Sequence, residues 1–164
     1  MATVTHVVGD DISTDVIYPG RFMATVLPTE TPQFAFADDK AFNHSLKERR
    51  PAVGSVIVGG QNFGCGSSRE QAASCLKGHQ LTVVARSFAR IFLQNAINLG
   101  LNVVACPDFA ADKGDQLEMT DTVVFNRTSG QRFRVTPLPK ARSEIIAAGG
   151  LIAFTRQRLL AAQS

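Results

Sequence analysis

The sequence is poor in the residues that mark several functional classes. It has no tryptophan and a single tyrosine, Tyr18, so an aromatic stacking platform for nucleic acid would rest on phenylalanine alone. Its 17 basic residues are scattered, and the net charge of +3 suits a small anionic substrate better than a polyanion. Charged residues make up only 19% of the chain and hydrophobic residues 45%, which excludes a disordered composition. We therefore expect a globular protein that binds no nucleic acid.

Cysteines and long apolar runs are also scarce. The cysteines, Cys65, Cys75 and Cys106, match neither a zinc pair nor an iron–sulfur run, so we expect this chain to hold no metal. No stretch approaches the roughly 20 apolar residues of a membrane span, and the first residues show no leader pattern. Unpaired cysteines indicate a reducing compartment, which predicts a cytoplasmic protein. A length of 164 residues fits one domain covering 1–164.

Apolar runs and helix breakers predict an α/β core in the middle of the chain. Three apolar strands alternate with two helices, the second of which has Ser87 as a candidate cap. The predicted elements are, in chain order, strand Ser55–Val58, helix Ser68–Lys77, strand Leu81–Ala85, helix Phe88–Leu99 and strand Leu101–Ala105. This alternation is typical of a parallel βαβαβ sheet.

The flanking regions have a different character. A strand is predicted at the start, and antiparallel hairpin strands follow Pro107. The further predicted elements are strands Thr5–Val8, Gln116–Met119, Thr122–Phe125 and Arg132–Thr136, a helix at Ser143–Ala148, a last strand at Leu151–Phe154 and a fraying tail at Gln157–Ala162. The proline-containing segment Arg21–Pro32 lacks periodicity, and we expect it to be mobile in the isolated chain.

The densest chemical signal is the glycine-rich run Gly59–Glu70, between a predicted strand and a predicted helix. Backbone N–H groups and the helix dipole at such a position favour an anion. Both nucleotide fingerprints fail, because the loop has no lysine and Arg69 stands where a dinucleotide loop needs its third glycine. A carboxylate gripped by the Arg69 fork fits better. Ser67 also begins a capping box with Glu70, so the residues alone leave helix capping equally open.

The remaining polar residues do not assemble a known catalytic set. The Gly-x-Ser-x-Gly elbow of serine hydrolases is absent, and the three histidines offer no placed general base. Asp10 and Asp11 lie in a run dense in side-chain acceptors, which favours local turn hydrogen bonds. The glycine loop therefore remains the candidate site.

Three blocks of the sequence form a signature in their order and spacing. They are Gly9–Ile17 with Pro19–Arg21, Gly60–Ala72, and Ala85–Phe92 with Asn95–Leu101. Together they resemble the small subunits, or swivel domains, of aconitase-superfamily hydro-lyases, notably those of the 3-isopropylmalate dehydratase type. The likeness covers nearly the whole chain and implies a swivel-type β/β/α fold.

The resemblance implies an activity that this chain performs only with a partner. A large subunit would carry a four-iron, four-sulfur cluster, and the pair would isomerise a 2-hydroxy dicarboxylate by eliminating and re-adding water. The implied substrate is 2-isopropylmalate, converted to 3-isopropylmalate in leucine biosynthesis. Dimethylmalate, citramalate or homoaconitate chemistry stays open, as do a non-catalytic anion-binding module and self-association of the isolated chain.

The resemblance also assigns residues. Ser67 is implied as the alkoxide base, and Asp15 as a support behind the serine loop. The groups implied to bind substrate carboxylates are Ser68, Arg69 and Arg21.

A specificity loop is implied at Phe22, Met23, Ala24 and Thr25. Ala24 is small and uncharged where homoaconitase-type loops carry arginine. This favours a substrate with a short apolar substituent over one with an additional carboxylate.

Overall fold

The computed structural model describes residues 1–163, in which strands and helices alternate through the first two thirds. The strands are β1 (Ala2–Val7), β2 (Val56–Gly59), β3 (Thr82–Ala85), β4 (Asn102–Ala105), β5 (Gln116–Met119), β6 (Val123–Asn126) and β7 (Arg132–Arg134). The α-helices are α1 (Thr14–Ile17), α2 (Lys40–Glu48), α3 (Gln71–Gly78), α4 (Arg90–Leu99), α5 (Lys140–Ala147) and α6 (Leu151–Ala162). Short 3₁₀ turns lie at Gly20–Phe22 and Thr31–Phe34.

The strands form one mixed sheet in the order β4-β3-β2-β1-β5-β6-β7. Strands β1 to β4 pair in parallel, whereas β1, β5, β6 and β7 pair antiparallel. A bridge between Ala105 and Thr136 joins β4 to the residues after β7, so the sheet curls until its two edges meet. The predicted α/β fold, with a parallel βαβαβ core and antiparallel hairpin strands, is confirmed.

The two central parallel strands, β2 and β3, are buried on both faces. Ile57 packs into a core that includes Leu76 of α3 and Phe92 of α4, whereas its neighbours Val56 and Val58 face a second core on the other side. Successive side chains of a strand point to opposite faces, so burial on both sides requires a continuous apolar run. This is why the sequence reads Val-Ile-Val rather than alternating apolar and polar residues.

Two predicted helix starts are wrong. Helix α3 begins at Gln71 rather than Ser68, and α4 begins at Arg90 rather than Phe88. Ser87 does not cap α4, because its hydroxyl accepts a hydrogen bond from the backbone N–H of Asn62 at 2.8 Å. The residues before each helix therefore lie outside it, and Ser87 holds the glycine loop.

The strand predicted at Leu151–Phe154 and the frayed tail predicted at Gln157–Ala162 are both wrong, because helix α6 covers them. Gly149 and Gly150, with φ of +97° and +124°, form the turn between α5 and α6. A Cβ on Gly150 would lie 2.7 Å from the Asn98 carbonyl oxygen, so this glycine lets the turn pass close to the end of α4.

Helix α6 lies on the outside of the protein and has no buried residue. Between residues 1 and 163, no single helix is long and apolar enough to cross a membrane. Helices α5 and α6 together have that length and composition, but they are bent by 95° at the break between them.

Candidate active site

The glycine loop between β2 and α3 is hydrogen-bonded to residues 12–14, which follow β1. The Gly64 N–H donates to the Ile12 carbonyl at 2.7 Å, and the Thr14 N–H donates to the Cys65 carbonyl at 2.8 Å. Gly64 has φ +86°, and a Cβ at this position would collide with the Phe92 ring. The loop therefore needs glycine there for both conformation and space.

Replacement of Gly64 by alanine is expected to destabilise the protein strongly, and Gly54 provides a matched control. Gly54 has a similar φ of +82°, but a Cβ added to it would meet nothing within 4 Å. Gly54→Ala is expected to cost about 1–2 kcal/mol from the left-handed backbone alone. Gly64→Ala is expected to cost roughly 1–3 kcal/mol more, because the new methyl group overpacks the core. Urea unfolding of the two variants measures the difference, and equal losses would contradict the packing argument.

Asp10 and Asp11 bond to the glycine loop rather than to their own turn, which corrects the expectation of local turn hydrogen bonds. The Asp10 carboxylate accepts from the Gln61 N–H at 2.7 Å, and that of Asp11 accepts from the Asn62 side-chain amide at 3.0 Å. These bonds join segments about 50 residues apart in sequence. The two aspartates therefore fix the loop against the residues that follow β1.

Ser67 does not cap a helix. Glu70 is the N-cap of α3 and makes no side-chain cap hydrogen bond, so the capping-box interpretation is wrong. Ser67 is exposed, and its Oγ lies 3.0 Å from Oγ1 of Thr14, which also accepts from the Ser67 N–H at 3.2 Å. The neighbouring Ser68 is exposed too, and its hydroxyl makes no hydrogen bond within residues 1–163. Both hydroxyls are therefore accessible to a ligand.

The side chain of Arg69 is fixed by hydrogen bonds to Asp15 and Tyr18, in and directly after helix α1. Its Nη1 donates to the Asp15 carboxylate at 2.9 Å and to the Tyr18 carbonyl at 3.0 Å. Its side chain is only 15% exposed, and Nε is buried with no hydrogen-bond partner among the described residues. Hydrogen-bonding capacity therefore remains on this guanidinium that the chain itself does not use.

Asp15 is ionised throughout the neutral range. Hydrogen bonds from Arg69 and from the Gly20 N–H, the latter at 2.8 Å, hold the pKa of this carboxyl below its usual range. The ion pair therefore contributes stability above the pKa of the unfolded carboxyl and loses it as pH falls through the folded one. Asp15 and Arg69, which the family resemblance placed in one site, are in direct contact.

The end of the glycine loop lines a cavity of about 430 Å³. Its polar side is formed by Ser67, Ser68, Arg69, Glu70, Gln71 and Ser74. Apolar side chains from the segment after α1 and from the end of α4 form the other side, namely Met23, Val26, Pro28 and Leu99. The cavity therefore combines donors for a carboxylate with a wall for a small hydrocarbon group.

The predicted specificity loop contributes only in part. Of its residues Met23 lines the cavity, whereas Phe22 stacks on Phe34 at 4.1 Å between ring centroids. Ala24 and Thr25 are not in the lining. Val26 and Pro28, which do line it, were missed by the sequence reasoning; the only available signal was apolar residues in an aperiodic segment.

Arg21 does not line the cavity at the glycine loop. Both of its terminal nitrogens donate to the Asp38 carboxylate, and its guanidinium lies 4.6 Å from the Phe22 ring centroid. This pairing raises the pKa of Arg21 and lowers that of Asp38. Binding of a substrate by Arg21 would require the ion pair to open, and the role stays a prediction.

A larger cavity of about 600 Å³ lies between β4, the residues after β7 and α5. Its lining contains none of the residues predicted for a site, and its ionisable groups are Asp121 and Lys140. Its lining contains no arginine, and its one cationic group, Lys140, is accompanied by the carboxylate of Asp121. The smaller cavity at the glycine loop is therefore the candidate active site.

The cysteines do not form a ligand set for a cluster. Cys65 is partly exposed, whereas Cys75 and Cys106 are buried. Burial raises the pKa of both buried thiols, that of Cys106 to about 11, so neither is a ready thiolate. Among residues 1–163, no three His, Cys, Asp or Glu side chains are grouped to hold a metal ion. The described residues therefore do not fit an iron–sulfur cluster.

Comparison with known proteins points to one family. The profile of the Aconitase C-terminal domain matches residues 30–108. The 3-isopropylmalate dehydratase small subunit of Methanosarcina mazei is 43% identical over 154 residues, which cover 91% of this chain and 92% of that protein. The protein of the same name from Thermodesulfovibrio yellowstonii is 38% identical over 157 residues, covering 92% and 90%.

A solved structure extends the likeness to the fold. The crystal structure of a 3-isopropylmalate dehydratase from Methanocaldococcus jannaschii superposes with a TM-score of 0.87 at 35% identity. The match covers 98% of this chain and 96% of that one.

Proposed function

This chain belongs to the family of 3-isopropylmalate dehydratase small subunits in the aconitase superfamily, and from that premise we propose how its cavity serves the reaction. The chain is the small subunit of a heteromeric hydro-lyase that isomerises 2-isopropylmalate to 3-isopropylmalate, a step of leucine biosynthesis. The proposal assigns the base and the carboxylate grip to this chain and the iron–sulfur cluster to the large subunit. It treats residues 1–164 as one swivel domain in the cytoplasm.

The reaction needs a base on one carbon and a leaving hydroxyl on the next. When the C–H proton is removed, its electron pair forms the C=C bond as the hydroxyl departs, and addition in the opposite sense moves the hydroxyl by one carbon. The four-iron, four-sulfur cluster that we assign to the large subunit supplies a Lewis acid for the hydroxyl. The proton transfer is the part that we assign to this chain, at Ser67 Oγ.

One observation carries the assignment of Ser67: its exposed hydroxyl and the Arg69 guanidinium line the same cavity. An alkoxide near neutral pH needs donors and positive charge close by, and a buried, fixed cation supplies them better than solvent does. Asp15 and the Tyr18 carbonyl fix the orientation of that cation. These contacts support the proposal that Ser67 is the base.

Substrate carboxylates are proposed to bind to Ser68 and Arg69. Both residues line the cavity, and the Ser68 hydroxyl is exposed and makes no hydrogen bond within residues 1–163. Glu70, Gln71 and Ser74 are the other polar residues of the lining. Arg21 is proposed as a further carboxylate ligand once the large subunit displaces its pairing with Asp38.

The apolar wall supports a branched hydrocarbon substituent. Met23, Val26 and Leu99 can cover an isopropyl group, whereas an additional carboxylate would be desolvated there without a partner. This favours isopropylmalate, with dimethylmalate or citramalate as smaller alternatives, over a homoaconitate-type substrate.

The test of the proposed function is reconstitution with a large subunit. The chain is co-expressed with a cluster-bearing large subunit of the same family, the cluster is reconstituted without oxygen, and alkene formation is followed by ultraviolet absorbance. We expect turnover of isopropylmalate by the complex and none by either subunit alone. An intact cluster and complex without alkene from any of isopropylmalate, dimethylmalate, citramalate or homoisocitrate would overturn the proposal.

Val26 is expected to control which substituent the cavity accepts. Val26→Arg places a cation in the apolar wall and is expected to lower kcat/KM for isopropylmalate by about 10–200-fold, the range for a lost apolar contact. Leu27→Arg is the matched control, because Leu27 is exposed in the same segment and does not line the cavity. Steady-state kinetics of the two complexes provide the measurement, and equal losses would mean that charge in this segment disturbs subunit docking instead.

A further inference from the structure

Thr14 is the side chain most closely joined to the proposed base. It is only 2% exposed, although it stands at the start of α1 beside an exposed loop. Its Oγ1 lies 3.0 Å from Ser67 Oγ, and within residues 1–163 this is the one hydrogen-bond partner of that hydroxyl. The same Oγ1 accepts from the Ser67 N–H at 3.2 Å. A buried hydroxyl therefore makes two contacts to a single exposed residue.

The donors and acceptors available on Thr14 and Ser67 determine which of the two hydroxyl groups donates the hydrogen bond. A threonine hydroxyl has one proton and two acceptor positions, and the Ser67 N–H occupies one of the acceptor positions. When Ser67 is a neutral hydroxyl, either oxygen can donate to the other. When Ser67 is an alkoxide, only Thr14 can donate. The hydrogen bond between Thr14 and Ser67 therefore becomes stronger when Ser67 ionises. A hydrogen bond that favours the charged form of an acidic group lowers the pKa of that group.

We propose that Thr14 is a positioning residue that donates its hydroxyl proton to Ser67 Oγ and stabilises the alkoxide form of that base. The inference rests on the proposed function of Ser67 and adds to it the residue that makes ionisation less costly. The donated N–H of Ser67 polarises the Thr14 hydroxyl and makes it a better donor. Backbone bonds from Thr14 N–H to Cys65 and from Tyr18 N–H to the Thr14 carbonyl fix the position of the donor without using its side chain.

The charged and titratable groups around the pair are few. Asp15 follows Thr14 on α1, Arg69 and Cys65 flank Ser67 in the loop, and Glu70 precedes α3. Asp15 is held ionised by Arg69, which keeps the pKa of its carboxyl low, so it does not titrate near neutral pH. None of these groups is altered by a substitution of Thr14, and a change in the pH profile can be assigned to Ser67.

The test uses two substitutions of Thr14 in the reconstituted complex. Thr14→Val keeps the shape and removes the hydroxyl, whereas Thr14→Ser keeps the hydroxyl and removes the methyl group. We expect Thr14→Val to lower kcat about 10–100-fold, as for loss of a hydrogen bond to a charged group, with KM nearly unchanged. Thr14→Ser is expected to stay within a few-fold of the parent enzyme. Thr14→Ala serves as a second hydroxyl-free variant where the valine variant does not assemble.

A kinetic isotope effect separates positioning from structure. With substrate deuterated at the carbon that loses its proton, the isotope effect on kcat is expected to increase in Thr14→Val, because proton transfer becomes slower relative to other steps. The activity of Thr14→Val is also expected to gain more from raising the pH than that of the parent. Turnover of Thr14→Val within twofold of the parent would overturn the proposal, as would equal losses in the valine and serine variants. A kcat of Ser67→Ala within tenfold of the parent would instead refute the proposed base itself.

Discussion

Replacement of Ser67 by alanine is expected to lower kcat of the reconstituted complex by about 10³–10⁴-fold, in the upper part of the range for positioned proton transfer. The hydroxyl is the proposed site of the abstracted proton, and alanine offers no atom that can accept that proton. KM is expected to change little, because Arg69 and Ser68 still line the cavity. Ultraviolet detection of the alkene at saturating isopropylmalate provides the measurement.

Ser68→Ala is the matched control for this prediction. Ser68 is the adjacent exposed serine, and we propose that it binds a carboxylate rather than the proton. Its loss is expected to raise KM by about 10–100-fold, as for loss of one hydrogen bond to a charged group, with a smaller effect on kcat. Both variants are expected to co-purify with the large subunit in the parental ratio. If kcat of Ser67→Ala stays within tenfold of the parent, the base is another group.

The sequence predicted the loop but not the contacts that give each residue its place. The pattern Ser67 to Glu70 is that of a capping box, yet the helix begins four residues after Ser67. Positive φ at Gly64 and Gly66, together with hydrogen bonds to the first turn, holds these residues out of the helix. The local sequence pattern indicates the propensity to form a helix, whereas hydrogen bonds to distant segments determine the residue at which α3 begins.

Contacts between distant segments could be predicted only where the family resemblance supplied them. Asp15 was expected near the serine loop, and it pairs with Arg69 across 54 positions. Thr14, its neighbour, has no sequence feature that marks it as a partner of Ser67. From the sequence, a threonine at the start of a four-residue helix has only a local structural role. Its hydrogen-bond partner Ser67 lies 53 positions away, where a local pattern gives no information.

The C-terminal region shows a different limit. Leu151–Phe154 is a short apolar run, which periodicity alone cannot assign to a strand or a helix. The end of the helix predicted at Ser143–Ala148 lies within one residue of the end of α5 at Ala147, because the glycines that follow, Gly149 and Gly150, adopt positive φ and form a turn. The conformation of the residues after that boundary depends on packing against α4 and α5, and a local pattern carries no information about such packing.

Arg69→Lys is expected to lower kcat/KM by about 10²–10³-fold. Lysine keeps the positive charge, but its compact ammonium group lacks the planar fork with which the guanidinium holds Asp15 and the Tyr18 carbonyl and presents further N–H groups to a substrate carboxylate. Loss of one such donor at a developing anion typically costs ~2.7–4 kcal/mol. Steady-state kinetics measure the loss, and circular dichroism is used to check that the variant remains folded.

Arg127→Lys provides the matched control, because it makes the same substitution in an exposed ion pair with Glu118. Such surface pairs contribute about 0–1 kcal/mol, so activity is expected to be unchanged. A double-mutant cycle with Asp15→Asn then tests how Arg69 acts. If Asp15 serves only to orient Arg69, the loss in the double variant is expected to equal that of Arg69→Lys alone, rather than the sum of the two single losses. Additive losses would mean that Asp15 contacts the substrate independently, and unchanged kcat/KM in Arg69→Lys would remove the guanidinium from the site.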